Sequence, residues 1–186
     1  MGTFMGEEKE YEVLDEGNEI IACLFRRYKE FFKYANPEKV VVLAVVNVPR
    51  PFSMRKLAKI TKVDSAHRTL LKRYGRRDVR YLIELYATDW VQWSPPRRQW
   101  ILAHEIGHIG KPDSKSLVQH SVEDHAWLID ALGIEWWEKD NLPNLLEGEP
   151  FPFRLDLFYH LHENDEDGAG IPEGGDSHGG SRFEFQ

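Results

Sequence analysis

The chain has 186 residues, of which 41% are hydrophobic and 12% aromatic, and this is enough for one folded domain with a substantial core. A single cysteine, Cys23, excludes an intrachain disulfide and a zinc site built from several thiolates, and it favours a reducing, cytoplasmic compartment. No apolar stretch approaches about 18 residues, so we expect no membrane span, and the N-terminal residues lack the basic and apolar regions of a signal peptide.

The net charge of −7 conceals two segments of opposite sign. Residues 50–80, called the basic block below, contain eleven Lys and Arg residues against two Asp, a balance of +9. Residues 163–186, the acidic tail, contain seven acidic residues against one Arg, a balance of −6, and are rich in glycine. We expect this tail to be disordered, and the basic block is compatible with contact to a nucleic acid or another acidic partner.

The N-terminal half begins with residues 1–14, which we expect to be loosely ordered, and a folded domain is predicted over 15–162. Within this domain, apolar residues at spacings of three and four predict a helix that starts at residue 15 and is ended by Pro37. The run KVVVLAVVNV, residues 39–48, is continuous and rich in β-branched residues, which is typical of a strand buried on both faces.

The middle of the chain carries the basic block, whose few apolar positions predict one or two short helices over 53–77, with Ser65 as a cap. Residues 78–93 alternate partly between apolar and polar, which indicates a strand, or a hairpin that turns at Thr88 and Asp89. Together with the earlier apolar run, this segment supplies strands for the predicted sheet.

Two helices are predicted next. Ser94 is a suitable N-cap and Pro95 suits the first helical position, while Gly110 and Pro112 are expected to end this helix after roughly four turns. A second helix is predicted from residue 116 until Gly133.

The first of these helices carries the motif HEIGH, in which His104 and His108 are separated by four residues. Residues four apart lie one above the other on a helix, so both imidazoles can be directed at one metal ion. Glu105 lies about 100° around the helix, too far to be a third ligand easily but close enough to reach a water on the metal. Zinc lowers the pKa of such a water, the glutamate takes its proton, and the resulting hydroxide attacks a carbonyl. The HExxH pattern therefore predicts a zinc peptidase site.

A catalytic zinc site needs a third protein ligand, and one class of candidate is excluded. Metzincin-type sites continue the motif with a Gly and a third His, but this chain has Lys111 and Ser114 at those positions. The next predicted helix carries HSVEDH, residues 120–125, which offers several candidates.

His120 is the favoured third ligand, because three histidines and one water form an established catalytic zinc set. Asp124, four residues later on the same predicted helix face, then orients an imidazole through its other nitrogen. The alternative is that Glu123 or Asp124 binds the metal directly, which gives a site of two histidines and a carboxylate. His125 is expected to point elsewhere.

The chain resembles the putative phage metallopeptidase family and, more distantly, the SprT-like zinc peptidases. The resemblance rests on residues 81–109, on HSVEDH and on LGIEWW, residues 132–137. Two positions depart from the family pattern, since Ser121 stands where an Asp is expected and His125 where an aromatic residue is usual. The resemblance implies three zinc ligands and one catalytic base, which are His104, His108, His120 and Glu105.

From the motif and the resemblance together we expect an α+β, compact zincin-like domain, in which a small β-sheet packs on the HExxH helix. The predicted function is zinc-dependent hydrolysis of peptide bonds in a protein or peptide substrate, with Zn²⁺ as the cofactor. The alternative is a non-catalytic zinc-binding protein of the same fold, which contacts a nucleic acid or a protein partner through the basic block.

Overall fold

A computed structural model describes residues 9–51, 56–111, 117–120 and 124–157. These residues form an α+β domain with one four-stranded sheet and several helices, which confirms the predicted fold class. The acidic tail lies outside the described residues. No helix of the described part is long and apolar enough to cross a membrane.

The strands of the sheet span Tyr11–Val13 (β1), Val40–Val45 (β2), Ala58–Lys62 (β3) and Tyr81–Tyr86 (β4). Their order in the sheet is β1-β2-β4-β3, so the central strands are β2 and β4. These two strands are parallel, whereas β1 pairs with β2 and β3 pairs with β4 in antiparallel orientation. Strand β3 is therefore an edge strand, and it contacts the HExxH helix.

Strand β2 is buried along its whole length, which confirms the prediction of a strand covered on both faces. Alternate residues belong to two cores, because side chains along a strand point to opposite faces of the sheet. Val42 faces the larger core, which contains the helix of the motif, and Leu43 faces a smaller cluster with Leu71. The sheet therefore separates the motif helix from the helix that carries Leu71.

Helices cover the sheet and connect its strands. They span Asp15–Arg27 (α1), Ser65–Arg73 (α2), Ala87–Trp90 (α3), Pro95–Gly107 (α4) and Ala126–Leu132 (α5), with 3₁₀ turns at Pro37–Lys39 and Trp136–Glu138.

Helix α4 is the central helix, and it packs against α1 and β3. It begins as predicted, with Ser94 as the extended N-cap residue and Pro95 at the first helical position. Its polar Gln99 is buried because its side-chain oxygen accepts a hydrogen bond of 2.7 Å from the backbone of Leu145. Trp100 is also buried, and its indole donates to the carbonyl of Pro143 at 2.8 Å. These two hydrogen bonds therefore fasten residues 143–145 to α4.

Two predictions for the N-terminal part are wrong in detail. The segment expected to be loosely ordered includes β1, which hydrogen-bonds along β2, although residues 1–8 lie outside the described part. Helix α1 ends at Arg27, and turns follow it before Pro37. The aromatic side chains of Phe31 and Phe32 in these turns are buried, so their apolar spacing reflects core packing and not a longer helix.

The prediction for the basic block is also partly wrong. Residues 58–62 form β3 instead of a helix, and the cap of α2 is Asp64, whose side chain accepts a hydrogen bond from the His67 amide. Buried Ala58 and Ile60 alternate with exposed Lys59, which is the period of a strand but is too short to stand out among so many basic residues. Residues 87–90 are helical, so no hairpin turns at Thr88.

Candidate metal centre

A cleft of about 430 Å³ lies beside α4, between the edge strand β3 and the segment 117–120. All three residues of the HExxH signature line it, and so does the proposed third ligand. The lining residues that bear on the chemistry are Lys56, Lys59, His104, Glu105, His108 and His120.

Three imidazole rings meet in this cleft. The Nε2 atom of His120 lies 3.2 Å from Nε2 of His104 and 3.2 Å from Nε2 of His108. Zinc–nitrogen bonds of about 2.0–2.1 Å in a tetrahedron separate two ligand nitrogens by about 3.3 Å. The observed separations therefore fit a shared metal ion.

Contacts on the far side of the His104 and His108 rings explain why their Nε2 atoms face His120. Nδ1 of His108 lies 2.6 Å from the carbonyl oxygen of Val118, so this nitrogen carries the proton and donates. Nδ1 of His104 lies 2.9 Å from a carboxylate oxygen of Asp124, which favours a proton there as well. Both Nε2 atoms then present lone pairs to the same small volume, as metal ligands do.

His120 reaches the cleft from a segment, residues 117–120, that is not helical. The backbone amide of Val118 donates to the carbonyl of His108 at 2.9 Å, and the Nδ1 bond of His108 returns to the same residue. These two bonds fasten the segment to the end of α4. The prediction of a helix from residue 116 is therefore wrong, because α5 begins only at Ala126, and His120 does not share a helix face with Asp124.

Asp124 lies behind His104, as the sequence predicts for an orienting residue. Its side chain is buried, with 4% exposed, and both oxygens have partners. Oδ2 accepts a hydrogen bond of 2.7 Å from the indole of Trp136, and Oδ1 accepts one of 2.7 Å from the backbone amide of His125. This arrangement argues against direct metal binding by Asp124. The other carboxylate candidate, Glu123, lies outside the described residues.

Glu105 is buried, with 5% exposed, and is fixed to the sheet edge. Its Oε2 atom accepts a hydrogen bond of 2.8 Å from the backbone amide of Ile60 in β3. Burial raises the pKa of the Glu105 carboxyl, while the charge of His104 and the Ile60 amide oppose this rise. The carboxyl group thus borders the cleft next to the three imidazoles without being one of their hydrogen-bond partners.

The surroundings shift the pKa values of the two histidines of the motif in opposite directions. Burial lowers the pKa of His108 to about 4, so its imidazole is neutral near pH 7 and its lone pair is available. Burial also acts to lower the pKa of His104, but the carboxylates of Asp124 and Glu105 outweigh it and the pKa is raised. A carboxylate behind an imidazole is the usual partner of a metal-binding histidine.

Comparison with known proteins identifies the family. A family model described as putative phage metallopeptidase matches residues 8–144, which is most of the chain. The chain belongs to this family. No curated protein and no solved structure matches it. Family membership confirms the resemblance drawn from the sequence, and a peptidase family implies a protein or peptide substrate.

The sequence did not predict that His125 belongs to the histidine cluster of this phage metallopeptidase family protein. His125 does not point elsewhere, since its ring lies 4.4 Å from that of His108 and 5.0 Å from that of His104, measured between centroids. Ligand nitrogens of His104, His108, His120 and His125 all lie within 4.8 Å of one another. His125 precedes α5 in an extended conformation, so the helical spacing used on the sequence misdirects it. The sequence does contain one signal for this role, which is that His125 follows the candidate ligand His120 by five residues.

Gly107 allows His125 to approach the motif helix. A methyl group at this position meets Nε2 of His125 at 3.2 Å and the ring of Trp127 at 3.2 Å. Both neighbours are almost fully buried and have little room to withdraw. The glycine inside the helix therefore serves close packing, which explains why a residue unfavourable to helices stands there.

We expect Gly107→Ala to lower the free energy of unfolding of the metal-free protein by about 1 kcal/mol. Overpacking costs about 1–3 kcal/mol, and the better helix propensity of alanine returns about 1 kcal/mol. Urea denaturation of the two proteins measures the difference. A variant that is about 1 kcal/mol more stable than the parent contradicts the close approach of His125 and Trp127.

Proposed function

We propose that this chain is a zinc-dependent metallopeptidase in which His104, His108 and His120 bind the metal and Glu105 is the general base. The proposal rests on one observation above all. Nε2 of His120 lies 3.2 Å from Nε2 of His104 and 3.2 Å from Nε2 of His108, in a cleft that the carboxyl group of Glu105 also borders. Membership of a metallopeptidase family supports the same conclusion independently.

Zinc is the proposed metal because of the set of donors. Catalytic zinc sites take three protein ligands, among them three histidines, and keep one position open. Two carboxylates among the described residues also line the cleft, but Glu105 is the proposed base and Asp124 contacts Nδ1 of His104. When bound, zinc supplies Lewis acidity, which polarises a carbonyl group and makes water at the site more acidic.

Glu105 supports the proposed chemistry through its two oxygens. Oε2 accepts a hydrogen bond from the amide of Ile60, which fixes the direction of the carboxyl group, and we assign proton transfer to Oε1. In the proposed reaction, this carboxylate accepts a proton from a water in the cleft and then donates it to the leaving amine. The Ile60 amide therefore acts as a positioning group for the base.

We expect purified protein to cleave an unfolded protein substrate in a manner that depends on a bound metal. Treatment with a chelator is expected to abolish cleavage, and addition of about one equivalent of zinc to the dialysed protein is expected to restore it. Cleavage products are measured by gel electrophoresis and mass spectrometry. If the zinc-loaded protein cleaves neither itself nor an unfolded substrate, the metallopeptidase proposal is wrong and the chain is a metal-binding protein of another function.

Contact between the basic block and a nucleic acid stays a prediction. The basic residues of the block lie in more than one place. Lys56 and Lys59 line the cleft, whereas Lys72 and Arg73 lie in the last turn of α2. Part of its positive charge therefore lies where a substrate of the proposed peptidase binds. Electrophoretic mobility shift at low and high salt separates this alternative from peptide hydrolysis.

A further inference from the structure

His125 is the most deeply buried of the four clustered histidines, with 0% exposed. Neither of its ring nitrogens makes a hydrogen bond of good geometry to a described residue, although the backbone of His104 lies close enough to act against the lowering of its pKa by burial. A buried polar group without a partner costs about 1–3 kcal/mol, so such groups nearly always have one. The position therefore calls for a partner that an imidazole nitrogen can bind.

The surroundings of His125 favour a metal ion over a water molecule as that partner. A buried water requires several polar neighbours. On one side the ring packs closely on Gly107, where an added methyl group meets Nε2 at 3.2 Å, and it stacks on Trp127 with 5.9 Å between ring centroids, which leaves little room for a water. On the other side lie the three imidazoles, whose nitrogens come within 4.8 Å of a nitrogen of His125.

His125 approaches from the side opposite the cleft. It touches α4 at Gly107, which lies about 200° around the helix from Glu105 and therefore on nearly the opposite face. His125 is not among the residues that line the cleft, whereas the other three histidines are. The three imidazoles thus stand between His125 and the open cleft.

We infer that His125 is a fourth imidazole ligand of the metal centre, supplied from the buried side, which leaves the cleft side for water or substrate. The inference rests on the metal site of the proposed function but not on its peptidase activity. Zinc can accommodate it, because catalytic zinc sites sometimes expand from four to five ligands. A ligand set of four imidazoles also suits copper and nickel, so loading with zinc alone is the appropriate probe.

The test combines ligand counting with a substitution that keeps the shape of the ring. Zinc K-edge X-ray absorption on the zinc-loaded wild-type chain is expected to show four imidazole ligands, and on His125→Phe three. We also expect His125→Phe to weaken zinc binding at least about 10-fold in competition with a chelating dye. Even the mutation of a residue that only supports a metal ligand lowers metal affinity by about 10–100-fold. His67→Phe, on α2 away from the cluster, is the control and is expected to match wild type.

Three imidazoles in the wild-type spectrum overturn the inference, and this outcome requires no variant to fold. Unchanged affinity and an unchanged spectrum in a folded His125→Phe also overturn it and make His125 a packing residue. These results leave the proposed function intact, because His104, His108 and His120 still bind zinc in them. Failure of the wild-type chain to bind zinc contradicts both proposals, whereas zinc binding by four imidazoles without any cleavage contradicts only the peptidase proposal.

Discussion

Glu105→Gln is expected to reduce hydrolysis of an unfolded protein substrate by at least about 100-fold while the chain still binds one zinc. General acid–base catalysis by a positioned side chain contributes about 10²–10⁴-fold, and a neutral amide cannot take the proton. The amide oxygen of glutamine can still accept the hydrogen bond from Ile60, so the sheet edge and the cleft keep their shape. Initial rates with zinc-loaded proteins, together with metal analysis, measure the two properties separately.

The matched control for this substitution is Glu138→Gln. Glu138 is an exposed carboxylate in the 3₁₀ turn that adjoins the cleft residue Trp137, and it does not line the cleft. The control is expected to keep full activity. Equal activity of Glu105→Gln and wild type shows that another group is the base or that a contaminating protease cleaves the substrate, and either result removes Glu105 from the proposed role.

His120→Ala is expected to weaken zinc binding by more than about 100-fold, and Asp124→Asn by about 10–100-fold. The difference follows from their positions. His120 contributes one of the three converging nitrogens, whereas Asp124 contacts Nδ1 of His104, the nitrogen that faces away from the cluster. Mutation of such a supporting partner lowers metal affinity by about 10–100-fold. Competition of each zinc-loaded variant against a chelator of known affinity gives the two values, with His67→Ala as the control.

The order of these two effects decides between the ligand sets that the sequence leaves open. If His120→Ala retains zinc as tightly as wild type and Asp124→Asn loses it, a carboxylate replaces the imidazole as the third ligand. Asp124→Asn also tests folding, because the amide cannot accept equally well from Trp136 and from the His125 backbone. Circular dichroism of the metal-free variants therefore accompanies the titration.

The parts of the fold that could be predicted have local causes. Strand β2 follows from its unbroken β-branched run, which suits a strand covered on both faces. The start of α4 follows from Ser94 and Pro95, whose backbone preferences act within one turn. Two of the converging histidines also follow from local geometry, because a helix alone brings His104 and His108 together.

The parts that were missed depend on contacts between distant segments. Strand β3 is short, and one of its amides bonds to Glu105, 45 residues away. The segment before His120 is held at the end of α4 by the two hydrogen bonds between His108 and Val118. The sequence prediction assumed that residues 116–133 form one helix, which is wrong. It still selected His120, but it placed His125 on a face away from the cluster to which His125 belongs. Periodicity carries no information on such tertiary contacts.

A crystal structure of the zinc-loaded chain, with anomalous data on both sides of the zinc absorption edge, locates the metal directly. We predict one zinc peak within about 2.1 Å of Nε2 of His104, His108 and His120, on the cleft that Glu105 borders. The absence of a peak among these three nitrogens in crystals that contain excess zinc contradicts the metal centre and, with it, the proposed peptidase.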